Sequence, residues 1–119
     1  MTERKNPAEP TVTVALYDFC LWIMQRTNRF PKNWRVTLGD KIDRVALEML
    51  VLARHAAART EKTSCLVRLS DNLETLRMMV RLAKDLKCLE IKQYEFASRS
   101  FDEIGRQVGG WLKYTKGKK

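Results

Sequence analysis

A chain of 119 residues with 45% hydrophobic and 31% charged side chains has the length of one domain and the balance of a folded protein. Its 23 Lys and Arg outnumber 14 Asp and Glu, giving a net charge of +9 spread along the sequence, and a folded domain this basic is attracted to polyanions such as nucleic acid. No apolar run approaches the roughly 20 residues of a membrane helix, and the polar stretch Met1 to Pro10 does not read as a signal peptide, so a cytoplasmic location and no membrane partner are expected.

Residues 1–10 hold Pro7 and Pro10 without periodicity and read as a flexible N-terminal arm. Thr11 or Thr13 caps a first helix over about 11–30. Leu16, Phe19, Cys20 and Ile23 form one apolar stripe along it, and Tyr17, Leu21 and Met24 form a second beside the first. Two stripes exceed what one bundle seam buries, so this helix is either central in the fold or faces another subunit.

The stretch Arg29 to Ile42, RFPKNWRVTLGDKI, then interrupts the pattern. Phe30-Pro31 ends the first helix, because proline disfavours the α region for the residue before it. Thr37 and Asp40 have the spacing of a capping box and start a second helix over about 37–60, with Asp40 and Asp43 complementing its dipole. Phe30 and Trp34 are expected to close the end of the bundle, while Arg29, Lys32 and Arg35 form a basic patch there. Arg29 and Lys32 also complement the C-terminal dipole of helix one.

Lys62-Thr63-Ser64 is the turn into a third helix over about 65–88, whose Leu66, Leu69, Leu73, Leu76, Val80 and Ala83 repeat at heptad intervals. Leu89-Glu90 is a short turn into a fourth helix over about 91–113, with Tyr94, Ala97, Phe101, Ile104, Val108 and Trp111 at the same intervals. Residues 115–119 form a basic tail. Four helical patterns, short connections and no strand signal predict an all-α, antiparallel up-down-up-down four-helix bundle over 11–114.

No catalytic constellation is visible. His55 is the only histidine, and neither HExxH nor a P-loop nor a Gly-rich strand-to-helix turn occurs. The single histidine follows Glu48 by seven residues, so the ExxH pairs of a di-iron bundle are missing. Cys20, Cys65 and Cys88 are odd in number and lack a CxxC pair, which argues against a disulfide framework or a zinc site. A non-enzymatic protein without metal or cofactor is expected.

A basic ladder is visible. Arg77, Arg81 and Lys84 fall on one face of helix three, and Lys87 follows another turn on. Such a ladder advances about 5–6 Å per turn, close to the phosphate spacing along one strand, and arginine binds phosphate bidentately. The competing reading is a solvated face with local pairs, since Glu74 lies three residues before Arg77 and Asp85 four after Arg81.

Phe30-Pro31 with Thr37-Leu38-Gly39-Asp40-Lys41-Ile42, Leu76-Arg77 with Arg81-Leu82-Ala83-Lys84-Asp85-Leu86, Gln93-Tyr94-Glu95, and Asp102-Glu103-Ile104-Gly105-Arg106-Gln107-Val108-Gly109-Gly110-Trp111-Leu112 together resemble the accessory variability determinant proteins of diversity-generating retroelements. The resemblance covers about residues 14–114, and its closing run and the Phe-Pro/Leu-Gly-Asp turn together separate the chain from the related 23S rRNA intervening-sequence proteins, which share the turn more loosely. It implies a four-helix bundle assembled as a ring-shaped homopentamer. It also implies binding to the retroelement's reverse transcriptase and to RNA, with DNA a further candidate, in support of mutagenic copying of template RNA into cDNA. Arg77 and Arg81 match the family's Arg-x-x-x-Arg-Leu stretch and are the nucleic-acid or polymerase contacts it implies. One departure is Glu90, where the family offers a serine cap to helix four. From the residues alone, an rRNA-binding four-helix protein and a scaffold for an acidic partner stay open.

Overall fold

The computed structural model describes residues 8–117, with side chains from 11 onward. Four long helices account for most of it: α1 (Ala8–Thr27), α2 (Asp40–Ala58), α3 (Thr63–Asp85) and α4 (Ile91–Gly117). Among the described residues there is no strand. Each helix packs on two neighbours, α1 on α2 and α4, and α3 on the same two, which closes a bundle of 47 × 25 × 21 Å.

The heptad seams of the two C-terminal helices are its core. Leu66, Leu69, Leu73, Leu76, Val80 and Ala83 of α3 are buried, as are Ala97, Phe101, Ile104, Val108 and Trp111 of α4. Opposite them lie Leu16, Phe19 and Ile23 of α1 and Ile42, Ala46, Met49 and Ala53 of α2. Phe19 meets Phe101 with ring centroids 5.0 Å apart, tying α1 to α4. Cys20 is buried, its thiol donating to the Ala46 carbonyl at 3.3 Å. Burial, reinforced by the charge of Asp43, pushes its pKa up to about 11, so it is an inert core thiol.

The second stripe of α1 stays outside this core. Val14, Tyr17, Leu21 and Met24 are exposed on one flank of the helix. Leu47 and Val51 of α2 are exposed too.

The largest correction concerns the entry to the second helix. Helical structure resumes at Lys32, in a single turn Lys32–Trp34 followed by a π-helical stretch Arg35–Gly39 that runs straight into α2. Pro31 opens this segment: its carbonyl accepts the Trp34 amide at 2.9 Å and the Arg35 amide at 2.8 Å. A proline has no N–H to lose at a helix start and its φ is already suitable, so one residue both stops α1 and launches the next segment. Thr37 is not a cap. Its hydroxyl donates back to the carbonyls of Asn33 and Trp34, as a hydroxyl inside a helix does. Phe30 joins the core, whereas Trp34 is half-buried and outside it.

The other ends shift less. α1 begins at Ala8, three residues before the expected start, with Pro10 in its first turn where a missing N–H is harmless. Residues 1–7 of the expected arm, and Lys118 and Lys119 of the expected tail, lie outside the described residues, while 115–117 continue α4. The link from α2 to α3 is residues 59–62, with Arg59 extended, two residues earlier than the composition suggested. At the start of α4 the side chain of Gln93 accepts the Glu90 amide at 2.9 Å, the half of a capping box that needs no serine.

Gly109 and Gly110 are exposed in the interior of α4, and a methyl group added at either would touch nothing within 4 Å. Glycine costs a helix interior roughly 0.5–1 kcal/mol relative to alanine. The double variant Gly109→Ala/Gly110→Ala is therefore expected to gain about 1–2 kcal/mol in thermal unfolding. A lower melting temperature would show that something packs against these glycines.

Candidate nucleic-acid interface

The expected ladder divides into three environments. Arg77 lies beside the α3 seam and reaches across to α4. Its Nη1 is 3.0 Å from Asp102 Oδ1, its Nη2 donates to the Phe101 carbonyl at 3.3 Å, and its Nε is 3.3 Å from Glu74 Oε2. The guanidinium also sits 5.7 Å from the centroid of the Phe101 ring. Gly105 makes room for it: a Cβ there would stand 3.4 Å from Arg77 Nη2 and 3.3 Å from Leu73 Cδ2. Asp102, Gly105 and Arg77 thus form one clamp between α3 and α4, and three of the five guanidinium N–H donors already face acceptors within the chain.

Arg77→Ala is accordingly a stability variant. It deletes charge-assisted bonds and the apolar stem that covers Phe101, for an expected loss of about 1–2 kcal/mol in urea unfolding. Arg77→Lys recovers only part, because an ammonium cannot reproduce the fork. Unchanged stability of Arg77→Ala would remove the clamp.

Arg81 is exposed and has no ion pair among the described residues. It lines a shallow hollow with Glu74, Arg77, Met78, Tyr94, Ser98 and Phe101, where Met78 and Tyr94 offer apolar surface beside the charge. Lys84 leans the same way. Its Nζ is 3.2 Å from Asp85 Oδ1 and 4.8 Å from the centroid of the Tyr94 ring.

Lys87 has left the helix. It adopts φ 68°, and the amides of Lys87 and Cys88 bond to the carbonyls of Lys84 at 3.0 Å and Ala83 at 2.8 Å. That is the Schellman closure of a helix end, with lysine where glycine usually sits. A non-glycine residue held there costs on the order of 1 kcal/mol. The Lys87 side chain is therefore redirected from the α3 face to the end of the bundle.

At that end the two expected patches meet. The last turn of α1, the turn after it and the α3–α4 connection surround an open cleft of about 820 Å³, lined by Arg26, Arg29, Lys84, Asp85, Lys87, Cys88, Leu89, Glu90, Ile91 and Gln93. Arg29 and the end of the ladder thus share one site. The residue that sequence reasoning missed is Arg26, one turn before Arg29 in the last turn of α1. Its guanidinium lies 5.4 Å from the Trp22 ring centroid, and its Nε is buried without a hydrogen-bond partner among the described residues.

Lys32 and Arg35 are not part of this site. Lys32 is exposed on the short turn after Pro31. Arg35 lines a separate groove with Leu21, Met24, Val36, Asp40 and Asp43. There the carboxyl of Asp43 is raised above its ordinary range by burial. The Thr27 hydroxyl, donating at 2.7 Å, acts in the opposite sense, and the charge of Asp40 raises it further. Among the described residues no group of His, Cys, Asp and Glu is placed to hold a metal, and no helix is long and apolar enough to cross a membrane.

No curated protein matches the chain. A model of the bAvd-like family matches residues 12–115, a span that takes in all four helices, the Pro31 segment, the Arg77 clamp and the basic cleft.

Proposed function

This chain belongs to the bAvd-like family, the accessory variability determinants of diversity-generating retroelements, and on that premise we propose that it is a non-catalytic subunit that holds nucleic acid beside the retroelement's reverse transcriptase. The template RNA, the cDNA or both would be the ligand, and the outcome would be mutagenic retrohoming. The observation that carries the nucleic-acid part is the convergence of Arg26, Arg29, Lys84 and Lys87 at one end of the bundle, with Arg81 extending the charge along α3. Cations drawn from separate segments to one surface are what phosphate contact requires, and the half-buried Tyr94 ring beside them suits a base. Arg77 supports this surface by fixing α3 on α4 and makes no contact of its own.

The chain acts as a homo-oligomer, by resemblance a pentamer, joined through the exposed stripe of α1. An apolar flank of this kind is the material of an interface core, and assembly multiplies the +9 of each chain.

Co-expression with the retroelement's reverse transcriptase tests the reading. A complex that co-elutes after nuclease treatment, and mutagenic cDNA synthesis that stops when this chain is deleted, are the expected results. A reverse transcriptase that elutes alone and copies with full mutagenic yield would overturn it.

A further inference from the structure

The cleft at the end of the bundle has a charge balance that a strand's backbone does not match. Four cations, Arg26, Arg29, Lys84 and Lys87, face two carboxylates, Asp85 and Glu90, leaving a net formal charge of +2. An internal phosphodiester brings one negative charge, whereas a phosphomonoester carries about −1.5 to −2 at neutral pH. The volume of about 820 Å³ falls within the range of small-ligand sites and takes a nucleotide, where a single backbone phosphate would need only a surface.

Helix-end chemistry alone does not account for these cations. The C-termini of α1 and α3 both approach the cleft, and cations there offset a dipole. Yet the carbonyls of Leu82, Ala83 and Lys84 near the end of α3 are already satisfied by the amides of Leu86, Cys88 and Lys87, so the side chain of Lys87 is not needed to cap them. The Nε of Arg26 is buried and has no acceptor among the described residues. α4 also begins in the cleft, and the amides of its first turn, Ile91 to Gln93, have no intrahelical acceptors.

We propose that this cleft binds a terminal phosphomonoester, the phosphorylated end of a nucleic-acid strand or the phosphate of a free nucleoside monophosphate. Arg26 and Lys87 hold the phosphate from two sides and Arg29 closes over it. Arg81, outside the cleft on α3, meets the following internal phosphates. The proposal rests on the nucleic-acid reading above only for the strand end as its source.

The test titrates the full chain, by fluorescence anisotropy, with single-stranded RNAs of one sequence ending in 5′-hydroxyl, 5′-phosphate or 3′-phosphate. Adenosine 5′-monophosphate and adenosine serve as competitors. One phosphorylated end is expected to bind about tenfold tighter than the hydroxyl end, the worth of one or two charge-assisted bonds. Adenosine 5′-monophosphate, and not adenosine, should erase that difference. Arg26→Gln should abolish the preference. Lys87→Asn should do so as well, and since asparagine tolerates the left-handed backbone it keeps the test informative if Arg26→Gln fails to fold. Arg81→Gln should weaken all three RNAs equally. Competition by the monophosphate without any end preference would support the phosphomonoester site and assign it to free nucleotides. Equal affinity for all ends with no competition would overturn the proposal. If no RNA binds, the nucleic-acid reading fails instead, and calorimetry with adenosine 5′-monophosphate alone decides the cleft, where absence of binding overturns it.

Discussion

Tyr17→Glu combined with Leu21→Glu is expected to convert the assembled protein into chains of 13.9 kDa while the bundle itself stays folded. Tyr17 is 60% exposed and Leu21 55% exposed in the isolated chain, so neither side chain belongs to the core that holds the four helices together. In the proposed oligomer another chain covers their apolar surface. Burying two such side chains contributes about 2–3 kcal/mol each, and the association constant should fall roughly 10³- to 10⁴-fold on their removal. Two carboxylates in the same place add desolvation and mutual repulsion. Sedimentation velocity reads the mass, and the far-ultraviolet helical signal reads the fold. A wild-type chain that sediments as a monomer at micromolar concentration defeats the oligomer outright. A double variant that keeps the wild-type mass moves the interface elsewhere, with Leu47 and Val51 of α2 the next exposed apolar pair to replace.

That stripe was legible in the sequence because helical periodicity separates Leu16, Phe19 and Ile23 from Tyr17, Leu21 and Met24 before any partner is known. The two heptad seams were legible for the same reason, and every seam position of α3 is buried. Local signals failed where one residue had two roles or where the deciding partner was distant. Pro31 was read as a stop, and only its carbonyl bonds to Trp34 and Arg35 show it also as a start. In the sequence Arg77 reads as a phosphate ligand because its local partner, Glu74, is a weak surface pair. The acceptors that commit it, Asp102 and the Phe101 carbonyl, lie on the facing helix. Lys87 was extrapolated along a helix that ends two residues before it, since no glycine marks the left-handed turn. Arg26 and Arg29 share a cleft with Lys84 only because closing the bundle brings the end of α1 to the end of α3. Helix content and core positions follow from periodicity within a segment, whereas a binding surface assembled from separate segments does not.

Replacing Arg29, Arg81 and Lys84 by glutamine and Lys87 by asparagine is expected to remove most RNA binding at low salt and little at high salt. Each phosphate contact on a single strand contributes a slope of about −0.7 in log affinity against log salt, so losing four should flatten the slope by about 3. Affinity then falls by about 10³-fold at 0.1 M salt and converges on the wild type near 1 M. Of the contacts these four side chains make, the strongest are those of Lys84, with Asp85 at 3.2 Å and over the Tyr94 ring at 4.8 Å, so stability should fall by only about 1 kcal/mol. Arg77→Ala is expected to supply the opposite pattern, a lower melting temperature with the wild-type salt slope, because its guanidinium is engaged in holding α4. Should Arg77→Ala flatten the slope and the fourfold variant leave it intact, the phosphate contacts would run along the middle of α3, as the bare sequence suggests. Should neither change it, the contacts belong to other cations on the surface, and exposed Lys32 and Arg35, the latter beside Leu21 and Met24 of α1, would be the first to replace.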